Sequence, residues 1–278
     1  MRILVTGGLG YIGGFICGYL SRDYHVITTD CRKPDSHHRT INFELLDITD
    51  KKQTREQLIR LKPDIVIHLA GVKDLNFCQK NMNIVYDINV KGTANLVEAL
   101  KNIKTRMIFL STDYVFDGEK GMYKEDDQVN PQTYYGVTKV EGERFIMENA
   151  GDYAIIRTGG VYGSYDSIMS PLFLWLIGAL KSGKTIEAYM DVYNTPTSLE
   201  ILGKAMVKII SGQKTGLFHV AGKDRVNRFD FFKNIAVDSG FGPDLIKPVN
   251  NKGSDQAFLR PKDISLDTSK SHRLFNIP

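Results

Sequence analysis

Arg2-Ile3-Leu4-Val5-Thr6-Gly7-Gly8-Leu9-Gly10-Tyr11-Ile12-Gly13 opens the chain and decides its architecture. The first residues form a short apolar run rich in β-formers. Glycines follow at 7, 10 and 13, and then a segment over 14–21 with helical apolar spacing. In a strand, glycine loop and helix of this kind, the glycines allow a tight turn, close approach of the backbone to a pyrophosphate, and close helix-to-strand packing. The free N–H groups of the helix start then face the phosphates. The spacing is Gly-x-x-Gly-x-x-Gly rather than the commoner Gly-x-Gly-x-x-Gly, and its place between a strand and a helix gives it meaning. Gly7, Gly10, Tyr11, Ile12 and Gly13 are therefore read as a dinucleotide cradle.

The next segments extend that reading. His25 to Asp30 is a second strand ending in an acid, which can accept hydrogen bonds from an adenosine ribose and favours NAD over NADP. Cys31 follows on the same edge, and Arg32 tolerates a 2′-phosphate, so use of both cofactors stays open. Residues 42–46 read as a strand ending at Asp47-Ile48. There the carboxylate either meets the adenine amino group or opens the turn before a helix over 51–61. Residues 63–71 form a buried strand with Leu69, Ala70 and Gly71 at its carboxyl end, where ligands of open α/β sheets bind. A helix over 83–100 carries Asn89, a strand over 106–110 delivers Ser111-Thr112-Asp113 to the same edge, and a further strand spans 153–157. Repeated strand–helix units of this length imply an α/β fold, a doubly wound parallel sheet of the Rossmann type covered by helices on both faces. Residues 1–163, completed by about 191–220, make the NAD(P)-binding domain, and 164–190 with 221–278 make a smaller substrate lobe.

Tyr135-Gly136-Val137-Thr138-Lys139 supplies the chemistry. On a helix, positions four apart share a face, so Tyr135 and Lys139 point the same way. A phenol titrates near about 10, and a neighbouring ammonium with a nearby cofactor charge favours the phenolate, which makes Tyr135 a usable general acid or base. Thr112 would orient the substrate oxygen through its hydroxyl. Taken alone, Tyr-x-x-x-Lys is an ordinary solvated helix pair. The glycine loop upstream gives it its meaning.

With these residues in place, the chain resembles an extended short-chain dehydrogenase/reductase, in particular the dTDP-4-dehydrorhamnose reductase group. The resemblance rests on the glycine string 7–13, on Ser111-Thr112-Asp113-Tyr114-Val115-Phe116-Asp117-Gly118, and on Tyr135/Lys139 followed by Glu141-Gly142-Glu143. It also includes Ile156-Arg157-Thr158 with Val161-Tyr162-Gly163, Pro196-Thr197, and Arg260-Pro261-Lys262-Asp263 with Leu266-Asp267-Thr268-Ser269-Lys270. It implies hydride transfer from NAD(P)H to the 4-keto carbon of a nucleotide-linked 6-deoxyhexose. Tyr135 would protonate the developing alkoxide, and Lys139 would hold the nicotinamide ribose and lower the Tyr135 pKa. Thr112 would bond the carbonyl oxygen, and Asp113 would contact the substrate. The resemblance also admits a non-catalytic regulatory subunit that keeps the cofactor site, and an epimerase that returns the hydride. Intact Thr112, Tyr135 and Lys139 favour an enzyme. A dehydratase is disfavoured, because Asp113 is followed by Tyr114 and not by Glu.

Three departures from the group bear on substrate. Gly160 stands where rhamnose-forming members usually carry Trp, which would open space beside the sugar. Phe15 replaces a carboxylate that joins a magnesium site in some members, so no metal is implied. The loop Gly71-Val72-Lys73-Asp74 places Lys73 close to the expected nicotinamide and sugar. Arg260, Lys262 and Lys252 in the tail are candidate donors to a substrate pyrophosphate, arginine being favoured for bidentate geometry.

Composition limits the alternatives. The 278 residues are 42% apolar and carry 36 basic against 32 acidic side chains, a balance that argues against nucleic acid. Three cysteines at no metal spacing, with no targeting segment before the first strand, point to reduced thiols in cytoplasm. No apolar run reaches the roughly 20 residues of a membrane span. The longest, around Trp175 between Pro171 and Leu180, reads as a helix buried in the second lobe or at the subunit contact of a homodimer. His68 lies on a buried strand and reads as a satisfied core histidine. His37-His38 sit in a polar loop.

Overall fold

Every residue of β1 (Arg2–Thr6) after Arg2 is buried, so this strand must be covered on both faces. The computed structural model describes residues 1–35, 42–101, 103–251 and 260–277; Lys252 and His37-His38 lie outside them. After β1 come α1 (Tyr11–Leu20), β2 (His25–Asp30), β3 (Phe43–Leu45), α2 (Lys51–Leu61), β4 (Ile65–His68), α3 (Leu75–Lys80), α4 (Met82–Tyr86), α5 (Gly92–Leu100), β5 (Arg106–Thr112), α6 (Tyr134–Asn149) and β6 (Tyr153–Thr158). The second half holds β7 (Val161–Tyr162), β8 (Ser164–Tyr165), β9 (Ile168–Met169), α7 (Pro171–Lys181), β10 (Ile186–Tyr189), β11 (Tyr193–Asn194), β12 (Thr197–Ser198), α8 (Leu199–Ser211), β13 (Gly216–His219), β14 (Val226–Asn227), α9 (Arg228–Asp238), β15 (Ile246–Val249) and α10 (Ser269–Phe275).

Seven strands make one parallel sheet in the order β13-β6-β5-β4-β1-β2-β3. The chain moves outward from β1 to β3, then crosses back to β4 and proceeds the other way. That leaves a crevice beyond the carboxyl ends of β1 and β4, where open α/β sheets bind ligands. Side chains alternate across the sheet as the pleat requires. Ile3 and Val5 pack with Ile16 of α1 and Met206 and Ile209 of α8, and Leu4 packs with Leu58, Leu96 and Ile146 on the other face. A separate core joins Leu176 and Leu180 of α7 with Phe232 and Ile235 of α9, around the parallel pair β10–β15.

Several boundaries differ from the sequence reading. Helix α1 begins at Tyr11, inside the glycine string, with Gly10 as its N-cap. Helix α3 was not foreseen; Asp74 caps it by accepting a hydrogen bond from the Phe77 N–H at 2.7 Å. The expected helix over 83–100 runs from Met82 to Leu100 but passes through a π-helical turn at Asp87–Lys91. Phe275 and Ile277 pack in the main core, although the end of the strand–helix series assigns all of 221–278 to the lobe. Helix α7 buries Leu176 and Leu180 while Trp175 remains 53% exposed. Among the described residues no helix is long and apolar enough to cross a membrane.

Candidate active site

The glycine loop leaves room only for bare backbone. Gly7 adopts φ +68°, and a Cβ there would lie 2.7 Å from the Ala70 backbone; one at Gly13 would lie 2.1 Å from the Gly7 carbonyl oxygen. Beside this loop a cleft of about 720 Å³ runs along the sheet edge, bounded by Gly7, Gly10, Asp30, Cys31, Arg32, Asp47, Ile48, Leu69, Ala70 and Gly71. Ile84 of α4 and Asp87, Ile88 and Lys91 of the π turn also line it, and the sequence reading missed them because nothing in their spacing marks the turn that brings them to the cleft. Asp30 is buried, accepting from the Leu9 N–H at 3.3 Å and from the Arg32 N–H at 3.2 Å. Asp47 accepts from the Thr49 N–H at 2.9 Å, so it both opens the turn and borders the cleft. Tyr11 points elsewhere, its hydroxyl donating to the Gly163 carbonyl at 2.8 Å, and the Ile12 side chain packs on the main core.

The π turn carries Asn89 to the floor of the site. Its side-chain amide accepts from the Val72 N–H at 2.8 Å and donates to the Val72 carbonyl at 2.9 Å and to Thr138 Oγ1 at 3.0 Å. Asn89 thus pins the loop after β4 to helix α6 and has its polar atoms occupied by protein. Helix α6 is set by its N-cap, Thr133, whose hydroxyl accepts from the Gly136 N–H at 3.1 Å. Further along, Glu143 receives a fork from Arg157 of β6 at 2.7 Å, both side chains buried, and Ser111 at the end of β5 donates to the same carboxylate. These contacts hold α6 against β5, with Tyr135 hydrogen-bonded to Thr112 and Lys139 over the Phe109 ring.

Burial dominates the electrostatics here. It raises the Tyr135 phenol above its ordinary 10, while the Thr112 hydroxyl, hydrogen-bonded to it, pulls the other way. Burial also pushes Lys139 down to about 7, against the Glu143 carboxylate. The lysine Nζ sits 3.8 Å above the centre of the Phe109 ring. In the protein alone burial thus favours the neutral form of each group, the phenol of Tyr135 and the amine of Lys139. Asp113 is pushed up to about 7 by burial; its Oδ1 accepts from the Thr112 hydroxyl at 3.0 Å, and its Oδ2 has no partner among the described residues. His68 is buried with both ring nitrogens bonded, to Thr6 Oγ1 at 2.7 Å and Thr93 Oγ1 at 2.9 Å, a satisfied core histidine.

At the far end of the site Tyr114 forms a bridge. Its ring lies edge-on to Tyr135 with centroids 6.1 Å apart, and its hydroxyl accepts from Arg260 at 2.8 Å. The Nε of Arg260 is buried without a partner among the described residues. Arg228, which the sequence reading did not single out, shares this neighbourhood: burial first, and the Arg260 charge second, lower its pKa. The two half-buried guanidiniums bring together donors of the kind that bind anions in bidentate fashion. Lys73 is exposed on the loop after β4 and makes no ion pair with the described residues. The space that Gly160 was expected to leave open is partly taken by Asn194.

A doubly wound parallel sheet, a glycine-lined cleft and a Thr/Tyr/Lys group at its edge define the extended short-chain dehydrogenase/reductases, a class of NAD(P)-dependent oxidoreductases. The chain belongs to the RmlD substrate binding domain family, which matches residues 1–278. It is similar to the dTDP-4-dehydrorhamnose reductase of Aggregatibacter actinomycetemcomitans, at 28% identity over 99% of this chain and 94% of that protein. Among solved structures it matches a hypothetical dTDP-4-dehydrorhamnose reductase from Sulfolobus tokodaii at 33% identity and a TM-score of 0.87, covering 98% of this chain and 94% of that one. It also matches the Bacillus anthracis dTDP-4-dehydrorhamnose reductase in complex with NADP, at 27% identity and a TM-score of 0.88, covering 98% and 92%.

Proposed function

We propose that this chain reduces the 4-keto group of a nucleotide-linked 6-deoxyhexose with NAD(P)H, NADH being favoured. The observation that carries the reading is the convergence of Thr112, Tyr135 and Lys139 at one end of Tyr114, with Arg228 and Arg260 at the other. The bare backbone of the glycine loop and the cleft beside it fit a dinucleotide pyrophosphate, and Asp30 fits the adenosine ribose, with Arg32 narrowing the preference against a 2′-phosphate. When bound, the nicotinamide supplies a hydride to the carbonyl carbon. As the C=O π bond breaks, Tyr135 gives its phenolic proton to the oxygen, and the Thr112 hydroxyl turns its one proton from Asp113 to donate to the same oxygen. Lys139 holds the nicotinamide ribose and faces the phenolate left behind, which favours its charged form once the site is filled. Arg228 and Arg260 grip the substrate diphosphate, and Asp113 and Lys73 border the sugar.

A screen of NADH and NADPH oxidation against 4-keto-6-deoxy sugars linked to dTDP, UDP, GDP and CDP tests this. Oxidation with at least one of them supports the reading, and none with any refutes it.

A further inference from the structure

Tyr114 sets the length of the site: its ring touches Tyr135 and its hydroxyl reaches Arg260. A sugar with its carbonyl at Tyr135 and its diphosphate at the two arginines has to lie along this side chain. The other backbone beside this stretch is Gly159-Gly160. A Cβ on Gly159 would lie 1.9 Å from Asp113 Oδ2, and one on Gly160, at φ +51°, would lie 2.7 Å from Asn194 Nδ2 and 3.6 Å from Pro196 Cα. Asn194 is two residues from Val192, whose carbonyl accepts the Arg228 N–H at 3.1 Å. Gly159 and Gly160 therefore run past Asp113 and Asn194 in turn, and the strand that carries Asn194 leads two residues back to the carbonyl bonded by the Arg228 backbone. Asn194 is thus flanked by Gly160, whose neighbour Gly159 lies against Asp113, and by Val192, which bonds the Arg228 backbone.

The Asn194 backbone is fixed by pairing with Val226, but its half-buried side chain makes no hydrogen bond with the described residues. An amide partly withdrawn from water with neither donor nor acceptor satisfied has hydrogen-bonding capacity left for a ligand. Gly160, having no Cβ, leaves the room that this amide occupies. We propose that Asn194 is a specificity-determining residue whose side-chain amide binds the sugar ring hydroxyl at C2 or C3. This rests on the reductase reading for the placement of the sugar, and it makes the substrate class a 4-keto-6-deoxyhexose that retains that hydroxyl.

Binding separates the two ideas. Calorimetry would measure dTDP, UDP, dTDP-L-rhamnose, UDP-L-rhamnose, and the 2-deoxy and 3-deoxy forms of the rhamnose compounds. The wild type should bind one rhamnose compound more tightly than its parent diphosphate, and removal of one of the two hydroxyls should cost about 10- to 100-fold. Asn194→Ala should bind the parent diphosphate as the wild type does, bind the rhamnose compound as weakly as the wild type binds the critical deoxy analogue, and no longer distinguish the two. Asn194→Asp, of the same size, should keep part of the discrimination. The proposal is overturned if Asn194→Ala keeps the wild-type ratio between hydroxylated and deoxy sugars, or if the sugar adds no affinity in the wild type. Should the pattern appear without any NADH oxidation, the reductase reading fails while the role of Asn194 stands.

Discussion

A phenol that is to release its proton only as a carbonyl becomes an alkoxide has to stay protonated until that moment, and burial secures this for Tyr135. Tyr135→Phe should leave folding and NADH binding nearly intact while lowering turnover by roughly 10²–10⁴-fold; steady-state rates within threefold of wild type would remove Tyr135 from the mechanism. Lys139 makes a second prediction. Its folded-state pKa is about 7, against 10.5 in the unfolded chain, so between those values the unfolded chain holds more protons and stability rises with pH. Below about 7 the full cost of burying the ammonium is present. Lys139→Met should therefore increase the resistance of the cofactor-free chain to urea more at about pH 6 than at about pH 10, and an equal gain at both would contradict the burial argument. The Tyr135/Lys139 pair was legible because four-residue spacing on a helix is a local rule. Arg228 and Asn194 were not, because each is a lone polar residue whose meaning comes from Arg260 and Gly160, far away in sequence.

Helix α6 carries the reacting phenol, and its placement depends on the buried Glu143–Arg157 pair that ties it to β5 and β6. Removing one partner leaves an uncompensated buried charge. Glu143→Ala should accordingly lower the free energy of unfolding by about 3–5 kcal/mol, and Glu143→Leu combined with Arg157→Met should cost less than the single change. Denaturant titration measures both, and a loss near zero for Glu143→Ala would show that α6 is held by packing alone. At this scale the sequence reading succeeded where runs were long. Strands β1, β2, β4, β5 and β6 are apolar blocks between turn residues, and their order along the chain could be read directly. It failed at α3, six residues that make fewer than two turns, and at the π turn of Asp87–Lys91, whose extra residue per turn leaves the apolar pattern almost unchanged. The strings 111–118 and 260–270, which carry much of the family resemblance, largely pack on one another: Val115, Phe116 and Tyr123 form one small core with Ile264 and Leu266.

Across the whole molecule, the main sheet supplies the cleft and the reacting groups, and α9 with the tail supplies the cations that would hold a diphosphate at a fixed distance from them. Arg228→Met should weaken binding of dTDP by about 10- to 100-fold, the range for losing a hydrogen bond to a charged group. Calorimetry reads this directly, and unchanged affinity would move the anion site elsewhere. This level of organisation was the least legible, because it depends on pairings such as Tyr193 with Asp263 and Asn194 with Val226, which join segments that carry no common pattern. The central claim is net hydride transfer to C4 of a nucleotide sugar. It is tested most directly by incubating the chain with NADH deuterated at the transferring position and a 4-keto-6-deoxy sugar nucleotide, then locating the label by NMR. The account predicts deuterium on C4 of the product, with one NADH consumed for each sugar reduced. A product without label, or a sugar inverted at C4 with no net consumption of NADH, would contradict it.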